Sequence, residues 1–493
     1  MESGPSSLNE GTVSTGSQTS TSHPGSIREE EPAVHPLPSK LGSRPYRYLR
    51  FTIFSLYRRL FSIVFVANLA ALIVLVSTQL RTSSPPFSHI VTAASANIMV
   101  AILVRNQHVI NLLFMSFELV PHSVPLSIRR TCAKVYHHGG IHSGCAVAGT
   151  MWFLLFAVLV SRAYFFADPP LVRKHPEVLA LTWLLVALLV TIVVFAYPRF
   201  RVIAHDYFEL IHRFAGWTAC GLLWAFAVIF TNALRGSRSL GRALSLEPSF
   251  WFLIVITASI IYPWLYLRRV SVRPEKLSDH ALRLWFHHRP LTQHGAGVAI
   301  SQSPLTEWHQ FATIPSSPTT TSTSTTTTTS THPPRHPEWS ILISAAGDWT
   351  KSIIASPPFH IWIRGIPTTG VIRIAPLFRR VVVVTTGSGI GPCLSLLVAH
   401  AIPCRILWST PEPLTTYGAD ILAKVHEADP RALVIDTRKP GQRRPDMVAL
   451  AHALYKESGA EAVFTISNPT LTRKLVYGLE SRGVPSYGPI WDS

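Results

Sequence analysis

The stretch VVVVTTGSGIGPCLS, from Val381 to Ser395, decides the fold of the last part of the chain. Four valines in a row are typical of a buried strand, and the glycines and proline that follow lead into an apolar helical stretch. A strand that passes through glycines into a helix N-terminus is typical of loops that bind dinucleotide phosphates. A tight turn without a ligand is the alternative interpretation.

The glycines of this turn are the candidate NAD(P)-binding residues. They would let backbone N–H groups approach a pyrophosphate, and a proline at the first turn of a helix lacks only an N–H that is unpaired there anyway. The candidate residues are Gly387, Gly389, Ile390, Gly391 and Pro392. Strands and helices alternate after the turn, which predicts a doubly wound α/β domain over residues 379–493.

The type of dinucleotide is left open by the basic residues one strand later. The run DTRKPGQRRPD supplies Arg438, Lys439, Arg443 and Arg444. These side chains could bind the 2′-phosphate of NADPH, with Arg444 as the candidate contact, or they could form a solvated basic loop. NADPH and NADH are therefore both possible cofactors.

The first half of the chain is apolar. Hydrophobic residues make up 47% of the sequence and charged residues only 14%. Six stretches approach the length of a bilayer span, which is about 18–20 residues; they are residues 60–80, 87–104, 144–160, 179–197, 214–230 and 250–267. Lys and Arg are more frequent in alternate flanks, which predicts a multi-pass membrane protein with both termini in the cytosol. The plasma membrane and an endomembrane are both possible locations.

The formal charge of +18 fits this arrangement of basic flanks better than it fits nucleic-acid binding, so the lipid bilayer and not a nucleic acid is the expected partner. We predict a disordered tail over 1–45, six helices over 46–270 and a β-barrel over 271–378 before the α/β domain. A Thr-rich run at 316–337 is expected to be an insertion within the barrel. The five cysteines show no CxxC spacing, which favours reduced thiols.

Histidines stand at the entrances of the third and fifth spans. YHHGGIHSGC places His138 and His142 at the third span, and HDYFELIHRFAGW places His212 at the fifth. Two imidazoles on facing helices are able to bind a haem iron axially. Interfacial histidines that contact headgroups and water are the alternative interpretation.

The order of these features resembles the ferric reductase and NADPH oxidase superfamily. The local matches are YFELIH and VRNQ in the helical region, HQFATIPSS, AAGDWTK and RGIPTTG in the middle, and GSGIGP and RRPD near the end. The last part of the chain, through GVPSYGPIWDS, resembles more narrowly the fungal TmpA-like membrane proteins associated with asexual development. The resemblance implies six transmembrane helices followed by a ferredoxin-reductase-like tail that binds FAD and NAD(P)H.

The resemblance assigns FAD to the barrel. His309 and Phe311 match the family's pyrophosphate-side and ring-stacking positions. Ala312 replaces the hydroxyl residue that bonds the flavin N5 in relatives, so Thr313 is the nearest hydroxyl that could serve.

Two further flavin contacts are implied at the end of the barrel and at the end of the chain. The turn from Gly347 to Trp349 matches the family's Gly-Asp-Trp motif. Trp491 corresponds to the terminal aromatic residue that lies over the isoalloxazine in relatives. A surface tryptophan that closes the last strand is the alternative for Trp491.

The resemblance also implies a second histidine about 13 residues further along each helix, which would hold a second haem about 20 Å away. The residues at these positions are Leu155, Phe156, Ala225 and Phe226. At most one haem b is therefore expected, on the cytosolic side, held by His142 or His138 together with His212.

These features predict a membrane oxidoreductase that passes electrons from NAD(P)H through FAD to one haem or to an unknown small acceptor. The alternative is a membrane sensor, scaffold or partner protein that kept the reductase fold and lost catalysis. Ala312 and the missing outer histidines favour the alternative, whereas the glycine turn and the inner histidines favour the enzyme. A transporter is disfavoured because the spans carry few charges and no internal repeat is visible.

Overall fold

A computed structural model describes residues 36–79, 86–166, 175–287, 293–316, 339–439 and 444–490, which belong to one compact unit. The predictions for residues 1–35, for residues 317–337 of the Thr-rich run, and for Arg443 and Trp491 lie outside these ranges. Two residues within the predicted tail contact the α/β domain: the N–H of Leu41 donates to the carbonyl of Ser481 at 2.7 Å, and Leu37 packs on the core of that domain.

The described part of the chain begins with eleven α-helices. Their bounds are α1 Arg44–Tyr48, α2 Leu56–Gln79, α3 Phe87–Leu103, α4 Gln107–Glu118, α5 Leu126–Cys132, α6 Gly139–Phe166, α7 Pro176–Phe195, α8 Pro198–Ile203, α9 His205–Leu234, α10 Leu240–Leu246 and α11 Pro248–Leu265. By length and composition, five of them are able to cross a membrane: α2, α6, α7, α9 and α11. The pair α3 and α4 would be a sixth span, but it is bent by 68°.

Small residues allow the long helices to pack closely. A Cβ atom on Gly144 would lie 3.0 Å from the carbonyl oxygen of Phe61, and one on Gly140 would overlap the carbonyl of Tyr57. Because glycine has no Cβ, α6 packs against α2 at backbone distance, as is common between apolar helices. The same helix contacts α3 through Gly149, where a Cβ would lie 3.2 Å from the carbonyl oxygen of Ala94.

Six strands then form a closed barrel, as the sequence predicts. The strands are β1 Arg268–Lys276, β2 Ala281–Phe286, β3 Ala296–Ser301, β4 His309–Pro315, β5 Trp339–Ser344 and β6 His360–Thr369, with helix α12 Asp348–Ala355 between the last two. Their order around the barrel is β1-β2-β5-β4-β3-β6, and every neighbouring pair is antiparallel. The basic residues from Arg268 to Lys276, which follow the predicted sixth span, lie on β1.

The chain ends in a parallel sheet, also as predicted. Its strands are β7 Val381–Thr386, β8 Cys404–Thr410, β9 Leu433–Asp436, β10 Ala462–Ile466 and β11 Ser486–Tyr487, and its helices are α13 Ile390–Val398, α14 Pro413–Ala428, α15 Met447–Ser458 and α16 Pro469–Glu480. The strand order is β11-β10-β7-β8-β9. From β7 the chain first builds one side of the sheet through β8 and β9, and then returns to the other side with β10.

One continuous core joins the barrel, the parallel sheet and the short helices α4 and α5. It contains Ile314 and Leu342 of the barrel, Ile390 and Leu394 of α13, and Phe114 of α4. Helix α4 is further tied to β6, because the Asn111 side-chain amide donates to the carbonyl of Pro367 at 2.8 Å and accepts from the N–H of Thr369 at 2.9 Å. Helix α4 therefore shares a core with the barrel and the α/β domain, whereas the long helices have a core of their own.

Candidate functional site

The strand order places a crevice between β7 and β10. In open parallel sheets, ligands bind at the carboxyl ends of the strands where the order of the chain reverses. Here the reversal lies between β7 and β10, and the glycine turn at Gly387–Gly389 follows directly from β7. The predicted turn therefore stands where the sheet topology alone would place a ligand.

Gly387 and Gly389 of the turn each require glycine, for different physical causes. Gly387 has φ +52°, a left-handed conformation that side chains disfavour. Gly389 has ordinary angles, but a Cβ there would lie 2.6 Å from the hydroxyl of Thr385 and would overlap the carbonyl of Ile466 at the end of β10. Gly389 thus allows the turn to pack across the crevice.

Gly391 lies against the barrel. A Cβ atom there would meet the side chain of Leu342 at 3.4 Å, which is ordinary contact. An alanine at this position would therefore fit beside β5. Ile390 is fully buried in the core that contains Leu342, and its N–H donates to the carbonyl of Gly387, so that N–H is already paired.

Hydroxyl groups line the crevice on both sides of the turn. The hydroxyls of Thr386 and Ser467 bond each other across the gap between β7 and β10. Tyr417 of α14 lies close to Gly387, and burial raises the pKa of its phenol to about 12, so the hydroxyl stays protonated. Neutral hydroxyls of this kind are suitable partners for the ribose and amide groups of a dinucleotide.

An acidic residue follows the next strand. Glu412 stands after β8, about 20 residues beyond the glycine turn, the separation at which a carboxylate commonly binds a ribose 2′-hydroxyl. Glu412 has φ +43°, and its N–H donates to the carboxylate of Asp436 at 2.8 Å. Its own carboxylate pairs with Arg438 at 3.1 Å. Glu412 is not among the predicted site residues, although its spacing from the turn is visible in the sequence.

Arg444 is exposed and lies just before α15. Because β9 is parallel to β7, the carboxyl end of β9, which Arg438 follows, lies at the same edge of the sheet as the glycine turn. The roles of Arg438 and Arg444 in binding a dinucleotide stay predictions.

The predicted flavin residues come together on β4 and α12. The imidazole of His309 stacks on the indole of Trp349, with ring centroids 3.9 Å apart and planes 25° from parallel. Phe311 lies next to them, 6.1 Å from the same indole. The indole N–H of Trp349 is buried and has no hydrogen-bond partner in the described part of the chain. Trp349 thus covers the imidazole of His309, the residue that the resemblance assigns to the pyrophosphate side of the flavin.

Two other predicted flavin contacts are already satisfied within the protein. The Thr313 hydroxyl is buried and donates to the carbonyl of Ala296 at 3.1 Å, so it does not replace the hydroxyl missing at Ala312. At the start of α12, the N–H groups of Ala346 and Gly347 both donate to the hydroxyl of Thr350 at 2.9 Å. A phosphate at this helix N-terminus would have to displace that cap.

The structure brings His142 and His212 together. Their ring centroids lie 6.3 Å apart, with the planes at 61°. The Nδ1–H of His142 donates to the carbonyl of Ala101 at 2.8 Å, which leaves its Nε2 as an acceptor. His138, the alternative to His142, instead bonds the carbonyl of Val135 and lies against Phe114.

The described residues contain no cluster of three or more His, Cys, Asp or Glu side chains suited to a metal ion. Phe156 and Phe226, each about four helical turns after His142 and His212 respectively, belong to an aromatic cluster. Their rings are 5.4 Å apart. Phe153 and Phe230 complete this cluster with centroid distances of 5.2 to 5.7 Å. Phenylalanines thus stand at or beside the positions where the resemblance implied histidines for a second haem.

The known proteins that are similar to this chain are named for a different family from the one that its motifs indicate. Residues 371–493 match a family model described as adenylate-forming reductase 03009, C-terminal domain. Two Coprinopsis cinerea proteins, adenylate-forming reductases 03009 and 06235, are each 43% identical to the chain over 92% and 93% of its length. The chain spans only 42% of the length of either relative.

Among solved structures, a flavohaemoglobin from Malassezia yamatoensis is similar over 83% of this chain and 99% of its own, with 13% identity and a TM-score of 0.37. A Plasmodium falciparum ferredoxin-NADP⁺ reductase is similar over 47% of this chain and 98% of its own, with 11% identity and a TM-score of 0.34. Scores this low carry no argument about function.

These relatives correct the identification made from the motifs. The chain is similar to adenylate-forming reductases, so its assignment to the ferric reductase and NADPH oxidase superfamily and to the TmpA-like proteins of asexual development is wrong. The functions inferred from that assignment, membrane electron transfer to a haem or small acceptor and a degenerate sensor or scaffold, are wrong with it. The haem b remains a prediction without support from the relatives.

Proposed function

We propose that this chain acts as an oxidoreductase that takes its electrons from a nicotinamide dinucleotide bound at the crevice between β7 and β10. The observation that carries the proposal is the contact of Gly389 with Ile466, which holds the glycine turn against the point where the strand order reverses. Two relatives that are 43% identical to this chain are named reductases, which supports the same class of chemistry.

Glu412 favours NADH over NADPH in this proposal. Its carboxylate stands at the end of β8, where it would accept a hydrogen bond from the 2′-hydroxyl of NADH and repel the 2′-phosphate of NADPH. Arg438 is the cation nearest to this carboxylate and is paired with it, so it is not free for a phosphate.

We propose FAD as a second cofactor, bound beside β4 and α12. His309 and Phe311 would provide an aromatic surface for the flavin once the Trp349 indole moves off the imidazole of His309. When bound, FAD would supply a hydride acceptor for the dinucleotide. The chain's own part is to exclude water from the aromatic surface and to hold the glycine turn against the barrel, since α13 packs on Leu342 of β5.

Mixing the purified chain with FAD and then with NADH under anaerobic conditions tests both cofactors. The visible flavin absorbance should bleach with saturable dependence on NADH, and Phe311→Ala should reduce the amount of flavin retained. A flavin that is retained but never bleached would leave the barrel proposal standing and contradict the dinucleotide proposal. No retained flavin would contradict the barrel proposal.

We also propose that the chain is a multi-pass membrane protein of the plasma membrane or an endomembrane, with both ends of the described region in the cytosol. The proposal rests on the five apolar helices and on the basic flanks at alternate ends. The protein should stay in the membrane fraction through alkaline carbonate extraction and leave it only with detergent. Release by carbonate alone would contradict the proposal.

A further inference from the structure

A cavity of about 130 Å³ lies between α3, α9 and α11, near the end of the bundle that is remote from the two histidines. Its inner wall is apolar and includes Phe153, Phe226, Phe230, Leu253 and Ile256. An engineered cavity of about 150 Å³ with a similar Leu, Ile and Phe lining binds benzene. The space therefore suits an apolar body of the size of one aromatic ring.

The mouth of this cavity is charged. It is formed by Arg235, Arg238 and Glu247, together with the hydroxyl side chains of Ser88, Thr231 and Ser249. The Ser88 hydroxyl donates to the Glu247 carboxylate at 2.7 Å. Within the described residues, no ion pair within 4 Å joins Glu247 to either arginine, so the three groups leave a net positive charge at the mouth.

Two hydrogen bonds fix the guanidinium of Arg235. Its Nε donates to the side-chain oxygen of Asn232 at 2.8 Å and its Nη1 donates to the carbonyl of Arg238 at 2.7 Å. These bonds fix the guanidinium without neutralising it, because neither partner is charged. A guanidinium fixed in this way is suited to a carboxylate, to which it donates charge-assisted hydrogen bonds.

We propose that this cavity binds a small aromatic carboxylate of the size of benzoate, with its ring among the phenylalanines and its carboxylate at Arg235 and Arg238. Four features point to this class of ligand: the volume, the aromatic wall, the single net positive charge and the fixed guanidinium. A membrane lipid shares the combination of an anionic group and an apolar body, and the test separates the two sources.

The test measures binding of radiolabelled benzoate to the full 493-residue chain in nanodiscs of phosphatidylcholine. Benzoate should bind saturably, and benzyl alcohol, which has the same ring without the charge, should bind at least tenfold more weakly. Equal binding of benzyl alcohol would overturn the role of the arginines. Absence of saturable benzoate binding would overturn the site.

Substitutions locate the binding within the cavity. Arg238→Gln should weaken benzoate binding at least tenfold, and Ala227→Phe, which fills the lined space without a change of charge, should do the same. Arg242→Gln, an exposed arginine on the same connection that does not line the cavity, should change it less than twofold. Equal effects of Arg238→Gln and Arg242→Gln would overturn the proposal.

Nanodiscs with phosphatidylglycerol provide the last arm of the test. If the mouth binds lipid headgroups, this anionic lipid should abolish benzoate binding, and the proposal of a soluble carboxylate would be overturned. Unchanged benzoate binding in these nanodiscs supports the proposal. The helical content and unfolding midpoint of each variant, measured by circular dichroism, verify that it is folded.

Discussion

The guanidinium of Arg129 holds the carboxylate of Glu461 through two hydrogen bonds of 2.8 and 3.1 Å. Arg129 also donates to the carbonyl of Leu377 at 2.6 Å, and it is only 3% exposed. Because Arg129 belongs to α5 and Glu461 stands at the start of β10, this pair ties a short helix of the first half to the α/β sheet. A fork-shaped pair with one buried partner fixes orientation as well as distance.

Replacement of Glu461 by glutamine should destabilise the protein. The variant keeps the shape of the side chain but loses charge-assisted hydrogen bonds to a buried guanidinium, at a cost of about 2 kcal/mol in the free energy of unfolding. Chemical unfolding followed by circular dichroism measures the change. Glu480→Gln, which breaks the more exposed pair with Lys134, is the matched control and should cost less. Equal costs would contradict the role given to the buried pair.

The same pair predicts a dependence on pH. The hydrogen bond from Arg129 holds the pKa of Glu461 below its ordinary value of 4.5. A carboxyl with a lowered pKa in the folded state stabilises the protein above the ordinary value, and this contribution is lost as the pH falls through the folded-state pKa. The stability difference between the wild type and Glu461→Gln should therefore be constant near neutral pH and shrink below about pH 4.5. A difference that persists at lower pH would contradict this cause.

Glu412 should set the choice of dinucleotide. Glu412→Gln removes the charge that disfavours a 2′-phosphate and releases Arg438 from its ion pair. We expect NADH affinity to fall roughly tenfold, the value of one charge-assisted hydrogen bond, and NADPH affinity to rise. Titration of both dinucleotides measures the ratio, and Glu427→Gln, a carboxylate near the far end of α14, should leave it unchanged. A wild-type preference for NADPH would contradict the assignment.

Trp349 should compete with the flavin for the face of His309. Because the indole already stacks on this imidazole at 3.9 Å, Trp349→Ala would expose the surface, whereas His309→Ala would remove it. FAD retention after gel filtration should therefore be equal or higher in Trp349→Ala and lower in His309→Ala. If both substitutions lower FAD retention equally, Trp349 contributes to flavin binding in its present position, and the predicted competition is contradicted.

Two thiols of the α/β domain should be unreactive. Burial raises the pKa of Cys393, whose thiol donates to the carbonyl of Gly389 at 3.3 Å, and raises the pKa of Cys404 to about 12. Since the thiolate is the reactive form, iodoacetamide at pH 8 should label both cysteines slowly in the folded protein and rapidly in denaturant. Mass spectrometry of the labelled peptides measures the rates. Rapid labelling of the folded protein would contradict this burial.

The fold could largely be predicted from the sequence because local pattern determines most of it. Long apolar stretches, alternating strands and the run from Val381 to Thr386 each indicate their structure from neighbouring residues alone. The docking of α4 and α5 could not be predicted, because Asn111 and Arg129 find partners on β6 and at the start of β10 that are remote in the chain. Both short helices lie between the second and third predicted spans.

The candidate site was predicted in part for the same reason. The glycine turn was visible as a motif, but the need for glycine at Gly389 depends on Ile466 of a distant strand, and the space beside Gly391 depends on Leu342 of the barrel. The assignment to a family rested on motifs of a few residues each, and it was wrong. Similarity over nearly the whole chain, at 43% identity, corrects it.

The most direct test of the account is the binding of NADH to the purified chain, followed by the change in NADH fluorescence, in the wild type, Gly389→Ala and Gly391→Ala. A methyl group on Gly389 would overlap the carbonyl of Ile466, whereas one on Gly391 would only touch Leu342. We predict saturable binding by the wild type and Gly391→Ala, and a loss of binding in a folded Gly389→Ala. Absence of saturable binding by the wild type, or equal binding by all three proteins, would contradict a dinucleotide site at the crevice between β7 and β10.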